Sequence, residues 1–300
     1  MIEVYWIILK NFKKEFYIMN ALDTIIVLDS SADTAAEKAL PRTLVPLKII
    51  TTEKEYVDNK ELDVGAMIAD LRAYSGKSST SCPNPREFAD AFGEAKHVFC
   101  ITITGSLSGS HNAALAAARE YTEKYPERKA YVFDSLSTGP EILLVADVIE
   151  KAVLEGKSFE EVSEMLEGFR RHSKSGLIFM LESLQNLANN GRVSPLAAKA
   201  ASVLGIRVVG KASDEGTLEQ LEKCLGGKKA IKAIFANMKN EGYRGGEVSI
   251  AHCNNEQAAK ALASLISGEF EGAKTEIHPC GGLCSFYAEE GGLLVGFLKG

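Results

Sequence analysis

Short apolar, β-branched runs alternate along the chain with longer segments whose apolar residues recur every three or four positions, beginning at Thr24. Thr24-Ile25-Ile26-Val27-Leu28-Asp29 reads as a strand buried on both faces, ending in the polar Ser30-Ser31-Ala32-Asp33. Thr43 to Ile50 is a second extended run, in which Pro46 marks an edge or a bulge. Apolar residues at 64, 67, 68 and 71 predict a helix between Glu61 and Ser75. A polar loop from Ser78 to Pro85 follows, held extended by its two prolines, and then a short helix through Phe88 and Phe92. Val98 to Ile103 and Ala130 to Asp134 predict two further strands, opening into the small-residue loops Thr104 to Ser110 and Ser135 to Gly139. An alanine-rich helix starts near His111, and two helices follow the later loop, the second introduced by the capping box Ser158-Phe159-Glu160-Glu161.

The helical pattern stops near His172-Ser173-Lys174, which places a domain boundary there and divides the chain into residues 19–172 and 173–300. The second half predicts strands over Gly176 to Leu181, Ile206 to Lys211, Glu247 to Cys253, Ala273 to His278 and Leu293 to Phe297. Two short helices flank Asn189-Asn190-Gly191-Arg192-Val193-Ser194-Pro195, longer ones run from Lys228 to Asn240 and from Asn255 to Ile266, and a Gly- and Cys-containing turn precedes the last strand. Strands alternating with helices are the mark of an α/β protein with a mainly parallel sheet, here two domains joined by a cleft. Residues 1–18 are an amphipathic extension: Val4 to Leu9 is apolar but is broken at Lys10 and followed by Lys13, Lys14 and Glu15. That run is short of the roughly 20 apolar residues that span a bilayer. Its basic residues follow the apolar stretch, the reverse of a secretory signal, and Met19 is an alternative start.

Composition narrows the functional classes. The chain of 300 residues is 46% apolar and 25% charged, as in packed globular domains, and its 34 basic and 40 acidic residues give a net charge of −6. With no basic stripe, nucleic acid is not a predicted partner. Six cysteines are too sparse for a disulfide framework and predict a reducing cytoplasm.

Ligands of open α/β sheets bind beyond the carboxyl ends of the strands, where this chain places hydroxyl-rich loops at Ser30-Ser31, Thr104 to Ser110 and Ser135 to Thr138, with the Thr80-Ser81 loop as a fourth candidate. Ser108-Gly109-Ser110 opens a helix, so its amides and hydroxyls suit a carboxylate or phosphate. Neither nucleotide-binding glycine signature is present, and Gly105-Ser106-Leu107-Ser108-Gly109 has leucine where a nucleophile elbow needs serine. His278, Cys280 and Cys284 are too few to predict a metal site. His278 ends a predicted strand just before Gly281-Gly282, which makes it a candidate to face the same cleft. Arg192 lies in a loop between two short helices and is a candidate contact for the ligand or a partner.

Taken in order, six segments give the chain a family likeness. They are Asp29-Ser30-Ser31-Ala32-Asp33; Val45-Pro46-Leu47 with Tyr56-Val57-Asp58; Thr80-Ser81-Cys82-Pro83-Asn84-Pro85; Leu107-Ser108-Gly109-Ser110; Asp134-Ser135 with Gly139; and Leu184-x-x-Leu187 with Asn190-Gly191-Arg192-Val193-Ser194. Together they resemble the DegV family, bacterial two-domain α/β proteins that include the fatty-acid-binding subunits of fatty acid kinase. The resemblance implies a parallel-sheet N-terminal domain and a second α/β domain with a lipid tunnel. It implies a long-chain fatty acid whose carboxylate is held by Thr80 or Ser81, by Ser108 with the Gly109 amide, and by His278, with Arg192 contacting the partner or the acyl phosphate. In the family that histidine precedes Gly-Pro-Gly, whereas His278 precedes Pro279-Cys280-Gly281-Gly282.

The function so implied is a lipid-binding protein without catalysis or cofactor of its own, which presents the acid to a separate fatty acid kinase and makes at most peripheral contact with a membrane. Two rival readings belong to other classes: a small-molecule hydrolase or transferase using Ser108 or Ser81 with His278, and a lipid-responsive regulator.

Overall fold

The computed structural model describes residues 23–34, 38–171, 173–201 and 205–300, so the 1–18 extension lies outside the described residues. In the first half β1 (Thr24–Asp29), β2 (Arg42–Val45), β3 (Lys48–Ile50), β4 (Glu55–Val57), helix α1 (Val64–Ala73), β5 (Ser79–Ser81), α2 (Pro85–Phe92), β6 (His97–Thr102), α3 (Ser110–Lys124), β7 (Lys129–Asp134), α4 (Pro140–Leu154) and α5 (Phe159–Arg171) follow in turn. Strands β2-β1-β6-β7 form a fully parallel sheet, and β4-β3-β5 a small antiparallel one. Pro46 divides the predicted second run: before it β2 is an edge of the parallel sheet, and after it β3 is the centre of the small sheet.

The continuous apolar runs of β1 and β6 are explained by helices on both faces. Ile26, Leu28, Phe99 and Ile101 pack on one side against Ile142, Val145 and Ile149 of α4 and Leu166 of α5. On the other, Val27, Val98 and Cys100 meet Phe88 and Phe92 of α2 and Ala114, Ala117 and Tyr121 of α3. The capping box forms as its sequence predicts, with Glu161 N–H donating to Ser158 Oγ at 3.2 Å and Ser158 N–H donating to Glu161 Oε2 at 2.7 Å.

The second half contains β8 (Ser175–Leu181), α6 (Gln185–Asn189), α7 (Pro195–Ala201), β9 (Ile206–Ala212), β10 (Leu218–Leu225), α8 (Gly227–Asn240), β11 (Glu247–His252), α9 (Glu256–Glu269), β12 (Lys274–Pro279), α10 (Gly282–Ala288) and β13 (Leu293–Leu298). Its sheet runs β10-β9-β8-β13-β11-β12 and is antiparallel throughout except for the β11–β12 pair. One face, with Ile178, Met180, Val248, Ile250 and Val295, is covered by Ile234 and Met238 of α8 and Leu262 and Ile266 of α9. The other, with Leu177, Phe179, Leu181 and Leu294, turns toward the first domain. No helix among the described residues is long and apolar enough to cross a membrane.

Candidate functional site

Loops leaving the carboxyl ends of β6 and β7 form one wall of a cavity, through Ile103, Thr104, Leu107 and Ser108 and through Leu136, Ser137 and Thr138. The facing wall is the second sheet: alternate residues Leu177, Phe179 and Leu181 of β8, Leu294 of β13, and Ala212 and Leu218 of the β9–β10 hairpin. The empty space between them, mouth included, is about 810 Å³. Period-two alternation places every second side chain of β8 here and the intervening ones in the core.

The hairpin tip closes over the first wall. Ser106 Oγ donates to the Glu215 carbonyl at 2.5 Å, and Gly216 sits at φ +73° with its Cα against Thr104. A Cβ at Gly216 would lie 2.2 Å from Thr104 Oγ1, so both the backbone angle and the close approach demand glycine.

Thr80, Ser108, Arg192 and Tyr287 are among the polar side chains that line this apolar space. Thr80 Oγ1 lies 2.7 Å from Tyr287 Oη, and the Arg192 guanidinium stands over the Tyr287 ring at 5.7 Å. Arg192 Nε donates to the Leu107 carbonyl at 3.3 Å and Nη1 to the Asn190 carbonyl at 2.5 Å, which ties the α6–α7 loop to the loop carrying Ser108. Burial pushes the Tyr287 hydroxyl pKa up, so it stays protonated at neutral pH. Ser108 Oγ accepts the Ser110 N–H at 3.3 Å.

Thr80, Ser108 and Arg192 are therefore brought together on the cavity, and Ser81 and Gly109 flank them without lining it. Ser81 Oγ donates to its neighbour's carbonyl, that of Cys82, at 3.2 Å, and Gly109 is the N-cap of α3. His278 is not brought there: it sits on β12, with Nε2 3.2 Å from Ser249 Oγ and Nδ1 3.1 Å from the Pro279 carbonyl, and burial lowers its pKa. The strand register explains this, because His278 pairs with Ala251 on the far edge of the sheet. The serine–histidine pair that a hydrolase would need is thus not assembled around His278. Among the described residues no group of three or more His, Cys, Asp or Glu side chains is placed to hold a metal ion.

Sequence reasoning missed Tyr287, Leu283, Cys284 and Ala288, all on α10 and all lining the cavity. Their spacing, 283, 284, 287 and 288, is that of a single helix face and was the available signal. It also missed the carboxylates beneath the site. Asp29 at the end of β1 is fully buried and accepts from Ile103 N–H at 2.9 Å and Ser110 Oγ and Ser31 Oγ at 2.5 Å each, against a burial that raises its pKa.

A two-domain α/β protein whose parallel strand ends and second sheet enclose an apolar cavity with hydroxyl groups in its lining is the class defined by this fold and site. The chain belongs to the DegV family: the family's model, described as that of an uncharacterised protein, matches residues 23–299. A DegV domain-containing protein of Streptococcus pneumoniae is 42% identical over 253 residues, which are 84% of this chain and 89% of that protein. Among solved structures, a DegV family protein from Eubacterium eligens loaded with heptadecanoic acid superposes with a TM-score of 0.89 at 38% identity, over 92% of this chain and 100% of that one. The fatty acid kinase B3 protein of S. pneumoniae, loaded with linoleic acid, gives a TM-score of 0.89 at 40% identity, over 92% of this chain and 99% of that one.

Proposed function

We propose that this protein binds a long-chain fatty acid in the interdomain cavity, with the carboxylate in the Thr80–Ser108 corner, and presents it to a separate fatty acid kinase. The observation that carries the reading is the cavity itself: apolar walls from both domains, with the Thr80–Tyr287 pair and Ser108 among the hydroxyl groups that line it. Each methylene of the tail removed from water is worth about 0.8 kcal/mol before ordering costs, so the walls supply affinity and the corner fixes orientation. The acids carried by the two similar structures support this choice of ligand, and the naming of one of them as a fatty acid kinase B protein supports the partner. Ser81 and the Gly109 amide stand beside the carboxylate position, and Arg192, anchored to the Leu107 carbonyl, is the contact for the kinase or the acyl phosphate. The reading includes a cytoplasmic location, which suits six free cysteines.

Dissociation constants for a sixteen-carbon acid test the corner. Ser108→Ala and Thr80→Ala each remove a charge-assisted hydrogen bond, so each is expected to weaken binding by about 10- to 100-fold. The double variant is expected to lose less than the sum, since both donors act on one carboxylate. Wild-type affinity in all three variants would place the head group elsewhere.

A further inference from the structure

The two hydroxyls assigned to the head group do not stand alone, because each has a protein donor aimed at its oxygen. Thr80 Oγ1 lies 2.7 Å from Tyr287 Oη. A phenol is a stronger acid than an aliphatic alcohol, so the favoured arrangement has Tyr287 donating and Thr80 accepting. Thr80 keeps its own proton, which the Tyr287 donor turns away from the phenol, and the cavity that both side chains line is open to it.

Ser108 repeats the arrangement with other parts. Its Oγ accepts the backbone N–H of Ser110 at 3.3 Å, one of the first-turn amides of α3 that have no partner within the helix. That amide is held in place because the Ser110 hydroxyl, completely buried, donates at 2.5 Å to Asp29, whose other donors are Ile103 N–H and Ser31. The Ser110 side chain is thus turned away from the ligand and spent on fixing the loop.

We infer that Tyr287 and Ser110 are positioning residues that set the protons of Thr80 and Ser108 into the cavity, making the corner selective for an ionised head group over a neutral one. A carboxylate only accepts hydrogen bonds and is met by two preset donors. A primary alcohol offers the same donors one neutral oxygen in place of two charged ones, so the bonds it makes to them are fewer and weaker. The inference rests on the fatty-acid reading of the cavity and assigns its head-group selectivity to two residues outside the proposed ligand set.

The test is the ratio of affinities for hexadecanoic acid and 1-hexadecanol, measured by displacement of a fluorescent fatty acid, in wild type, Tyr287→Phe, Ser110→Ala and Ser110→Thr. The ratio is expected to fall about tenfold in Tyr287→Phe and in Ser110→Ala, the loss expected for one hydrogen bond to a charged group, and to recover in Ser110→Thr, which restores the hydroxyl on Asp29. A purely structural role would lower both affinities together and leave the ratio unchanged. Wild-type protein that discriminates while the variants keep its ratio overturns the positioning roles alone. Wild-type protein that binds the acid no better than the alcohol overturns the carboxylate reading and the inference with it.

Discussion

Asp33 is half-buried, and its carboxylate oxygens differ: Oδ1 accepts the Gly281 N–H at 2.8 Å, while the buried Oδ2 has no hydrogen-bond partner. Burial pushes its pKa up to about 7. An unfolded aspartate titrates near 3.9, so between the two values the folded chain holds a proton that the unfolded chain has released. Stability therefore declines as pH rises through this window, by roughly 1.4 kcal/mol per pH unit, and the full cost is present above pH 7. Asp33→Asn keeps an acceptor for Gly281, removes the charge and tolerates the residue's φ of +70°. The variant is expected to melt higher than wild type at pH 8 and with little difference at pH 4; equal shifts at both pH values would contradict this. At this scale Ser108 could be picked out from its hydroxyl-rich loop at a strand end, Thr80 from its polar loop and Arg192 from its place between two short helices, and all three line the cavity. Tyr287 was not, since its partner Thr80 is 207 positions away in sequence and nothing local marks the pair.

Among the elements, β1, β6 and β8 were readable because central strands are apolar on both faces, and the edge strand β7 because its apolar run ends in a small-residue loop. Strand β10 was not: Leu218-Glu219-Gln220-Leu221-Glu222-Lys223-Cys224-Leu225 is an edge strand, largely exposed, with a bulge between Gln220 and Glu222 that breaks its alternation. Strand β5 lies inside the Ser78 to Pro85 segment expected to be loop, because pairing with β3 outweighs its polar composition. Helix α10 was read as a turn, since glycines crowd both its ends. What holds this helix is Asp58, buried, whose carboxylate accepts Gly282 N–H at 2.6 Å and Leu283 N–H at 2.9 Å, a charge on the positive end of the helix. Asp58→Ala removes both bonds and is expected to cost about 3 kcal/mol. Hydrogen exchange at Gly282 and Leu283 is expected to accelerate well beyond that of the β8 amides. Gly282→Ala offers an independent check, because its added Cβ would lie 2.7 Å from Asp58 Oδ1 and 2.6 Å from Leu62 Cδ2. Unchanged exchange at these amides in both variants would show that the helix is held by other means.

The two larger sheets of the molecule face one seam, with α4 between them. Ile142, Val145 and Ile149 of this helix pack on the parallel sheet, while its first turn lies against β13, where a Cβ on Gly296 would come within 2.6 Å of the Glu141 nitrogen. Glu141, fully buried, accepts from Ser137 Oγ and from Ser175 Oγ of β8 at 2.5 Å each, a link across the seam that also fixes the loop lining the cavity. The alternation of strands and helices revealed two α/β units, but the antiparallel order of the second sheet was hidden, because period-two patterning records which face is buried and not which strand is the neighbour. For the same reason His278, at a strand end as expected, proved to lie at the β11–β12 edge, away from the cavity. A cavity lined by apolar groups from both domains is unfavourable to fill with water, so protein purified from a bacterial host is expected to retain its ligand. Native mass spectrometry followed by lipid extraction measures this directly: the account predicts a stoichiometric adduct with the mass of a long-chain fatty acid, and protein that shows no adduct and yields no lipid on denaturation would contradict it.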